Sequence, residues 1–276
     1  EKNDSIFDTA IPFLFCISQS SGLLFIALGS VASKTSFRKD PMTYEVKSVN
    51  ILGSDMDCLV FTPESAGPFP GVVVAQHIPN AHDGLEADPF TIDIGNKFVA
   101  KGYACVIPFI FHWWPAGTDL ATKRAEWDDA KTVADLDAAC DLLKSIDGID
   151  PDRIAILGHC WGGRMAWLGA CHNSQYKVLG TLYGGRIKVG MGKGSPPPID
   201  LVNQMNCAVI GIFGKDDGNP SPEDVADLEA ALAATGTDYE FHSYEGAGHG
   251  FQDFISEDRY RPEATKDSWA KIFNFF

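Results

Sequence analysis

The 276-residue chain predicts an α/β protein: a mostly parallel, eight-stranded sheet flanked by helices. Three observations carry that prediction. Short β-rich runs alternate with helical patterns past Asp40, as they do in βαβ units. Six of those runs are apolar nearly throughout instead of alternating, which is how strands covered on both faces read. Composition is that of an ordinary globular protein, with 45% hydrophobic and 21% charged residues, enough to fill one large core.

The elements follow in order. "YEVKSVNI" (44–51) and "DCLVFTP" (57–63) read as an opening strand pair joined by Gly53, Ser54 and Asp55. "GVVVAQH" (71–77), "YACVIPFIF" (103–111), "RIAILGHC" (153–160), "VLGTLYGG" (178–185), "CAVIGIFG" (207–214) and "YEFHSYEG" (239–246) supply the other six strands. Helices are expected at 91–101, 123–146, 161–171, 222–235 and 264–276. The last carries Trp269, Ile272, Phe273 and Phe276 at i, i+3, i+4 and i+7, one apolar face for docking on the sheet. "GMGKGSPPP" (190–198) reads as a surface loop, and residues 41–276 as a single domain.

Residues 1–40 read as a segment outside that fold. The stretch 9–33 carries no charge and ends in small residues like a signal peptide, but Asp4 and Asp8 precede it where a positive region belongs. Anchor, export signal and upstream fragment are the three readings. No membrane role is expected for the catalytic domain.

Net charge is −15 and the isoelectric point lies near 4.7. That balance argues against nucleic acid, whose backbone is held by clustered Lys and Arg. The seven cysteines are odd in number and scattered, without the paired spacing of zinc sites, as reduced thiols of a cytoplasmic protein are. His77, His82, Asp83 and His112 could be gathered by folding, but none sits at a metal-ligand spacing, so no metal is expected.

"ILGHCWGGRMAWLGA" (156–170) carries the chemistry. Cys160 sits where a strand runs straight into a helix, with Gly158, Gly162 and Gly163 around it, the nucleophile-elbow pattern with Cys in place of Ser. So sharp a turn tolerates little flanking side chain. It aims the sulfur at the N-terminus of the next helix, whose dipole favours negative charge there, and the N–H of Trp161 faces a developing oxyanion. A packed core thiol would need neither the glycines nor the strand–turn–helix order. In such folds the acid and then the histidine follow on later strand ends. "GKDDGNPSPEDV" offers Asp216 and Asp217, and "GAGHGF" offers His249. Taken singly, these would read as turn and loop residues.

Together "GHCWGG", "GKDDGNPSPEDV" and "GAGHGF" resemble the dienelactone hydrolase family of the α/β-hydrolase fold, from about residue 44 to the end and in family order. The resemblance implies an ester or lactone hydrolase that needs no cofactor, acts through an acyl-enzyme and uses a Cys–His–Asp triad. The matching positions are Cys160, His249 and Asp217, with Asp216 as competitor. A second oxyanion donor is expected from the loop after the third strand, at the N–H of Ile78. The partner is a small-molecule ester or lactone, and the chain a monomer or small homo-oligomer.

The chain departs from the family in two places. His77 stands where the family carries a glutamate beside the nucleophile, and is expected either to assist the thiol or to fill space. Trp113 and Asp253 stand where the family's carboxylate-clamping arginines lie, so His112, Trp113 and Trp114 are expected to wall a pocket for aromatic, less anionic substrates. Arg164 and Arg186, near the active edge in sequence, are alternative carboxylate contacts. The competing reading of function is a catalytically impaired ligand-binding or redox-sensing protein on the same fold.

Overall fold

The computed structural model of the chain describes residues 44–78, 85 and 88–276. The expectations for residues 1–40, and for His82 and Asp83, lie outside the described residues. The apolar runs form strands β1 (Tyr44–Ile51), β2 (Ser54–Phe61), β3 (Phe69–Ala75), β4 (Ala104–Pro108), β5 (Ile149–His159), β6 (Tyr176–Leu182), β7 (Ala208–Gly214) and β8 (Tyr239–Tyr244). They make one sheet in the order β1-β2-β4-β3-β5-β6-β7-β8, parallel from β4 to β8 and antiparallel at β1–β2 and β2–β4. The first turn is shorter than expected. Strand pairing runs to Ile51 and resumes at Ser54, and Leu52 and Gly53 close the hairpin at φ 50° and 86°, the left-handed pair a two-residue hairpin turn needs.

Helices α1 (Pro89–Val99) and α6 (Pro262–Phe275) cover one face of the sheet. Helices α3 (Asp129–Lys144), α4 (Trp161–His172) and α5 (Pro222–Thr235) cover the other, and the short α2 (Leu120–Ala125) precedes α3. Strand side chains sort between the two cores by parity. Val72 and Val74 face α1 and α6, while Val73 and Ala75 face α3 and α4. That double covering is why these strands read as unbroken apolar runs.

The expected helix over 123–146 is two helices. Asp128 caps α3, its carboxylate accepting the N–H of Ala130 at 3.0 Å, and Trp127 drops into the core between Phe111 and Trp161. A buried indole followed by a capping aspartate ends one helix and starts the next.

The chain steps from β3 to β4 on one side and then to β5 on the other, so a crevice opens at the carboxyl ends of β3 and β5, the usual ligand position in open α/β sheets. Cys160 lies there at φ 55°, ψ −119°, a conformation L-residues seldom hold. Backbone contact enforces it. A Cβ on Gly158 would run into the carbonyl of Gly162, one on Gly162 into that of Ala75, and one on Gly163 would lie 2.8 Å from the Leu182 oxygen. Gly162→Ala should therefore destabilise the protein by about 3 kcal/mol, the top of the range for overpacking, because backbone cannot yield as a side chain can. At roughly 2–4 °C per kcal/mol for a domain of this size, Tm falls by about 10 °C. An unchanged melting curve would contradict this account of the elbow.

Candidate active site

Three loops at the carboxyl edge of the sheet bring Cys160, Asp217 and His249 into line. His249 Nε2 lies 2.9 Å from Cys160 Sγ, and His249 Nδ1 lies 2.9 Å from Asp217 Oδ2. Asp217 is buried, and its second oxygen accepts the Asn219 N–H at 2.8 Å. The neighbouring Asp216 turns its side chain to solvent. Burial alone would favour the neutral His249 ring, but hydrogen bonds to Asp217 and Cys160 and the charges of both outweigh it and raise its pKa to about 10. The ring is thereby favoured as imidazolium across neutral pH.

Cys160 differs from the chain's other described thiols. Cys58, Cys105, Cys140, Cys171 and Cys207 are buried, and burial pushes each upward, to about 11 in Cys140 and about 12 in Cys58, Cys171 and Cys207. Only Cys160 among the described cysteines is partly exposed. A reagent that attacks exposed thiols therefore meets one target among them.

Two lobes open onto Cys160. The larger, about 240 Å³, is lined by Phe90, Leu120, Tyr183, His77, Arg259 and Asp253 among others. The smaller, about 140 Å³, is lined by Trp161, Arg186 and Asn219. Ile78, Arg124, Cys160 and His249 border both. Of the four described non-glycine residues with positive φ, Cys160, Tyr183 and Arg186 all lie in this cleft, and only the hairpin residue Leu52 lies elsewhere. Backbone strain concentrated in this way marks a site the surrounding structure is built to hold.

His77 borders the larger lobe but is engaged, its Nε2 2.8 Å from Asp88 Oδ2. Burial would raise the Asp88 carboxyl, but hydrogen bonds from His77, Thr91 and the Phe90 N–H outweigh it and hold it below the usual carboxylate range. His159 lies behind Cys160, fully buried, with its pKa pushed down to about 3. Gln252 donates to Ser268 Oγ at 2.7 Å and so turns its oxygen toward His159, which makes Nε2 the protonated nitrogen of a neutral ring.

His112, Trp113 and Trp114 do not line either lobe, contrary to expectation. His112 Nε2 and Trp113 Nε1 both reach the buried Asp135 carboxylate at 3.0 Å, and Trp114 stacks on Trp127 while donating to Glu126. An indole N–H with a buried acceptor serves the packing of the loop. Burial raises the Asp135 carboxyl despite those hydrogen bonds. Arg164 is unavailable too: it grips Asp129 through two nitrogens at 2.6 and 2.9 Å, both residues buried. Arg124 and Arg259 carry no signal in the sequence, because one sits in a short surface helix and the other in the loop before α6, and only the fold carries them to the cleft. Among the described residues no group of three or more His, Cys, Asp or Glu is arranged to hold a metal ion. None of their helices is long and apolar enough to cross a membrane.

A mostly parallel eight-stranded sheet, helices on both faces and a cysteine at the strand-to-helix elbow after β5 define an α/β-hydrolase fold. The chain belongs to the dienelactone hydrolase family, whose model matches residues 56–276. It is 28% identical over 269 residues to a candidate carboxymethylenebutenolidase of Escherichia coli K12, an alignment covering 94% of this chain and 96% of the relative. The carboxymethylenebutenolidase of Rhodococcus opacus is 28% identical over 202 residues, covering 68% and 75% of the two chains. A candidate dienelactone hydrolase of known structure from Klebsiella pneumoniae superposes with a TM-score of 0.73 at 28% identity, covering 85% of this chain and 99% of that one. The protein is a hydrolase of the ester- and lactone-cleaving kind.

Proposed function

We propose that the chain hydrolyses a small ester or lactone through a thioester on Cys160. The observation that carries the proposal is the unbroken line from Asp217 through His249 to Cys160, two contacts of 2.9 Å each. Cys160 Sγ, its proton already held on His249 Nε2, attacks the carbonyl carbon, and the π electrons move to oxygen. The N–H groups of Trp161 and Ile78 hold that oxyanion. Collapse expels the alcohol oxygen, which takes the proton from His249 and leaves an acyl-sulfur bond. Water then gives a proton to His249 and attacks the thioester, the sulfur leaves, and the acid is released. Asp217 keeps the imidazole proton on Nδ1 throughout.

The charge at the cleft favours a more anionic substrate than the aromatic, less anionic one expected from the sequence. Trp113 and Trp114 are turned away from it, and the guanidiniums of Arg124 and Arg259 border it. Substrates carrying an acidic group therefore suit the cleft, although the chain as a whole is acidic. The test is a panel of chromogenic esters and lactones measured before and after treatment with iodoacetamide. Turnover of at least one member, lost in step with alkylation of Cys160, supports the reading; turnover that survives complete alkylation of Cys160 would overturn it.

A further inference from the structure

We infer that the smaller lobe of the cleft is a separate subsite for an anionic group of the substrate, carboxylate or phosphate, with Arg186 as its specificity-determining residue. The inference rests on the hydrolytic reading above and adds that the substrate spans Cys160, one arm in each lobe.

The lobe is built from donors. Arg124 and Arg186 border it with Asn219, and no carboxylate is among its described lining residues, whereas Asp253 lies in the larger lobe. A guanidinium carries its N–H groups in a planar fork that matches an oxyanion, and two of them border the lobe beside the Asn219 amide. The aromatic wall comes from Trp161, over whose ring the Arg124 guanidinium lies at 5.7 Å.

Arg186 is held for this position. Its backbone sits at φ 54°, a left-handed conformation that costs an arginine free energy and persists only under constraint. The constraint acts on both sides of the residue. The Arg186 N–H donates to Asn219 Oδ1 at 2.9 Å, and the Arg186 carbonyl accepts from Arg164 Nε at 3.3 Å. Arg164 is in turn fixed by the buried Asp129 pair and donates to the Val189 carbonyl at 2.7 Å, and Asp129 accepts the Met191 N–H at 2.8 Å. A buried ion pair at the start of α4 thus clamps the whole loop that carries Arg186. On the other side, the Asn219 N–H donates to Asp217. The loop is tied to the triad carboxylate at one end and to the elbow helix at the other, while the Arg186 side chain itself remains exposed. Buried charge spent on fixing the backbone of an exposed arginine fits a recognition role better than a packing one.

The test compares three esters of one nitrophenol in the full chain: a neutral acyl ester, its analogue ending in a carboxylate, and its analogue ending in a phosphate monoester. A second set carries the same groups on the phenol side, so that either orientation in the cleft is sampled. The readout is kcat/KM for each anionic ester divided by that for its neutral partner. Wild type should favour at least one anionic ester by tenfold or more. Arg186→Gln should cut that ratio by tenfold or more, Arg186→Lys, which keeps the charge but loses the planar fork, should cut it by less than Arg186→Gln does, and the arm that responds names carboxylate or phosphate. If Arg186→Gln does not fold, Arg124→Gln carries the same expectation. A ratio that neither substitution changes overturns the subsite. Failure of the hydrolytic reading is distinct, because wild type would then release no nitrophenol burst from any ester.

Discussion

Replacing Cys160 with alanine is expected to lower kcat for ester hydrolysis by about 10⁴-fold or more, the loss typical when the nucleophile of a three-residue relay is removed. The imidazole and the oxyanion donors remain, and they can assist only a water attacking from bulk, which sets the residual rate. Fold should survive. The Cys160 backbone is positioned by its N–H to the Leu182 carbonyl at 2.9 Å and by its carbonyl accepting the Gly163 N–H at 3.0 Å, neither of which uses the side chain. Steady-state kinetics with an activated aryl ester, alongside a thermal melt, checks both halves. A variant retaining more than a hundredth of wild-type kcat would show that the acyl group travels elsewhere.

Asp217→Asn is expected to cost about 10³–10⁴-fold in kcat, and atom counting gives the reason. Both Asp217 oxygens accept hydrogen bonds, one from His249 Nδ1 and one from the Asn219 N–H. An amide has one oxygen. If it keeps Asn219, its NH₂ faces His249 Nδ1, forces that nitrogen to accept, and leaves the proton on Nε2, where it cannot receive the thiol proton. The pH profile should shift as well. Asp217 is one of the groups that raise the His249 pKa to about 10. A raised pKa means the protonated ring persists as pH climbs, so the alkaline limb of kcat/KM in wild type should fall near pH 10. Without the carboxylate, protonation is favoured less, and the limb should move down toward the ordinary histidine range. Asp216→Asn, whose side chain is exposed, should change kcat by less than about threefold. Equal losses in the two variants would remove the distinction between these aspartates.

What the sequence made legible, and what it hid, follows from where each constraint acts. The strands are readable because both faces of Val72–Ala75 and Ile154–Leu157 are covered, which leaves unbroken apolar runs. The elbow is readable because backbone-to-backbone contact at Gly158 and Gly162 permits only glycine, so the constraint is written in residue type. Asp217 and His249 lie directly after strands and inherit their positions from the sheet. Arg124 and Arg259 do not: each reaches the cleft through a connection with no fixed geometry in sequence. Trp113 and Trp114 misled for a related reason, since an aromatic walling a pocket and one whose N–H serves a carboxylate of the protein read alike until the acceptors, the buried Asp135 and the exposed Glu126, are placed. The break at Trp127 was hidden because the Asp128 cap that divides the helices is a single residue.

The most direct test of the central claim is intact-mass measurement of the full chain quenched in acid during turnover of a slowly deacylating aryl ester, followed by peptide mapping. The account predicts one acyl group per chain, carried as a thioester on Cys160, absent in Cys160→Ala and lost on treatment with hydroxylamine. Steady turnover with no acylated chain, or an acyl group mapped to any residue other than Cys160, would contradict it.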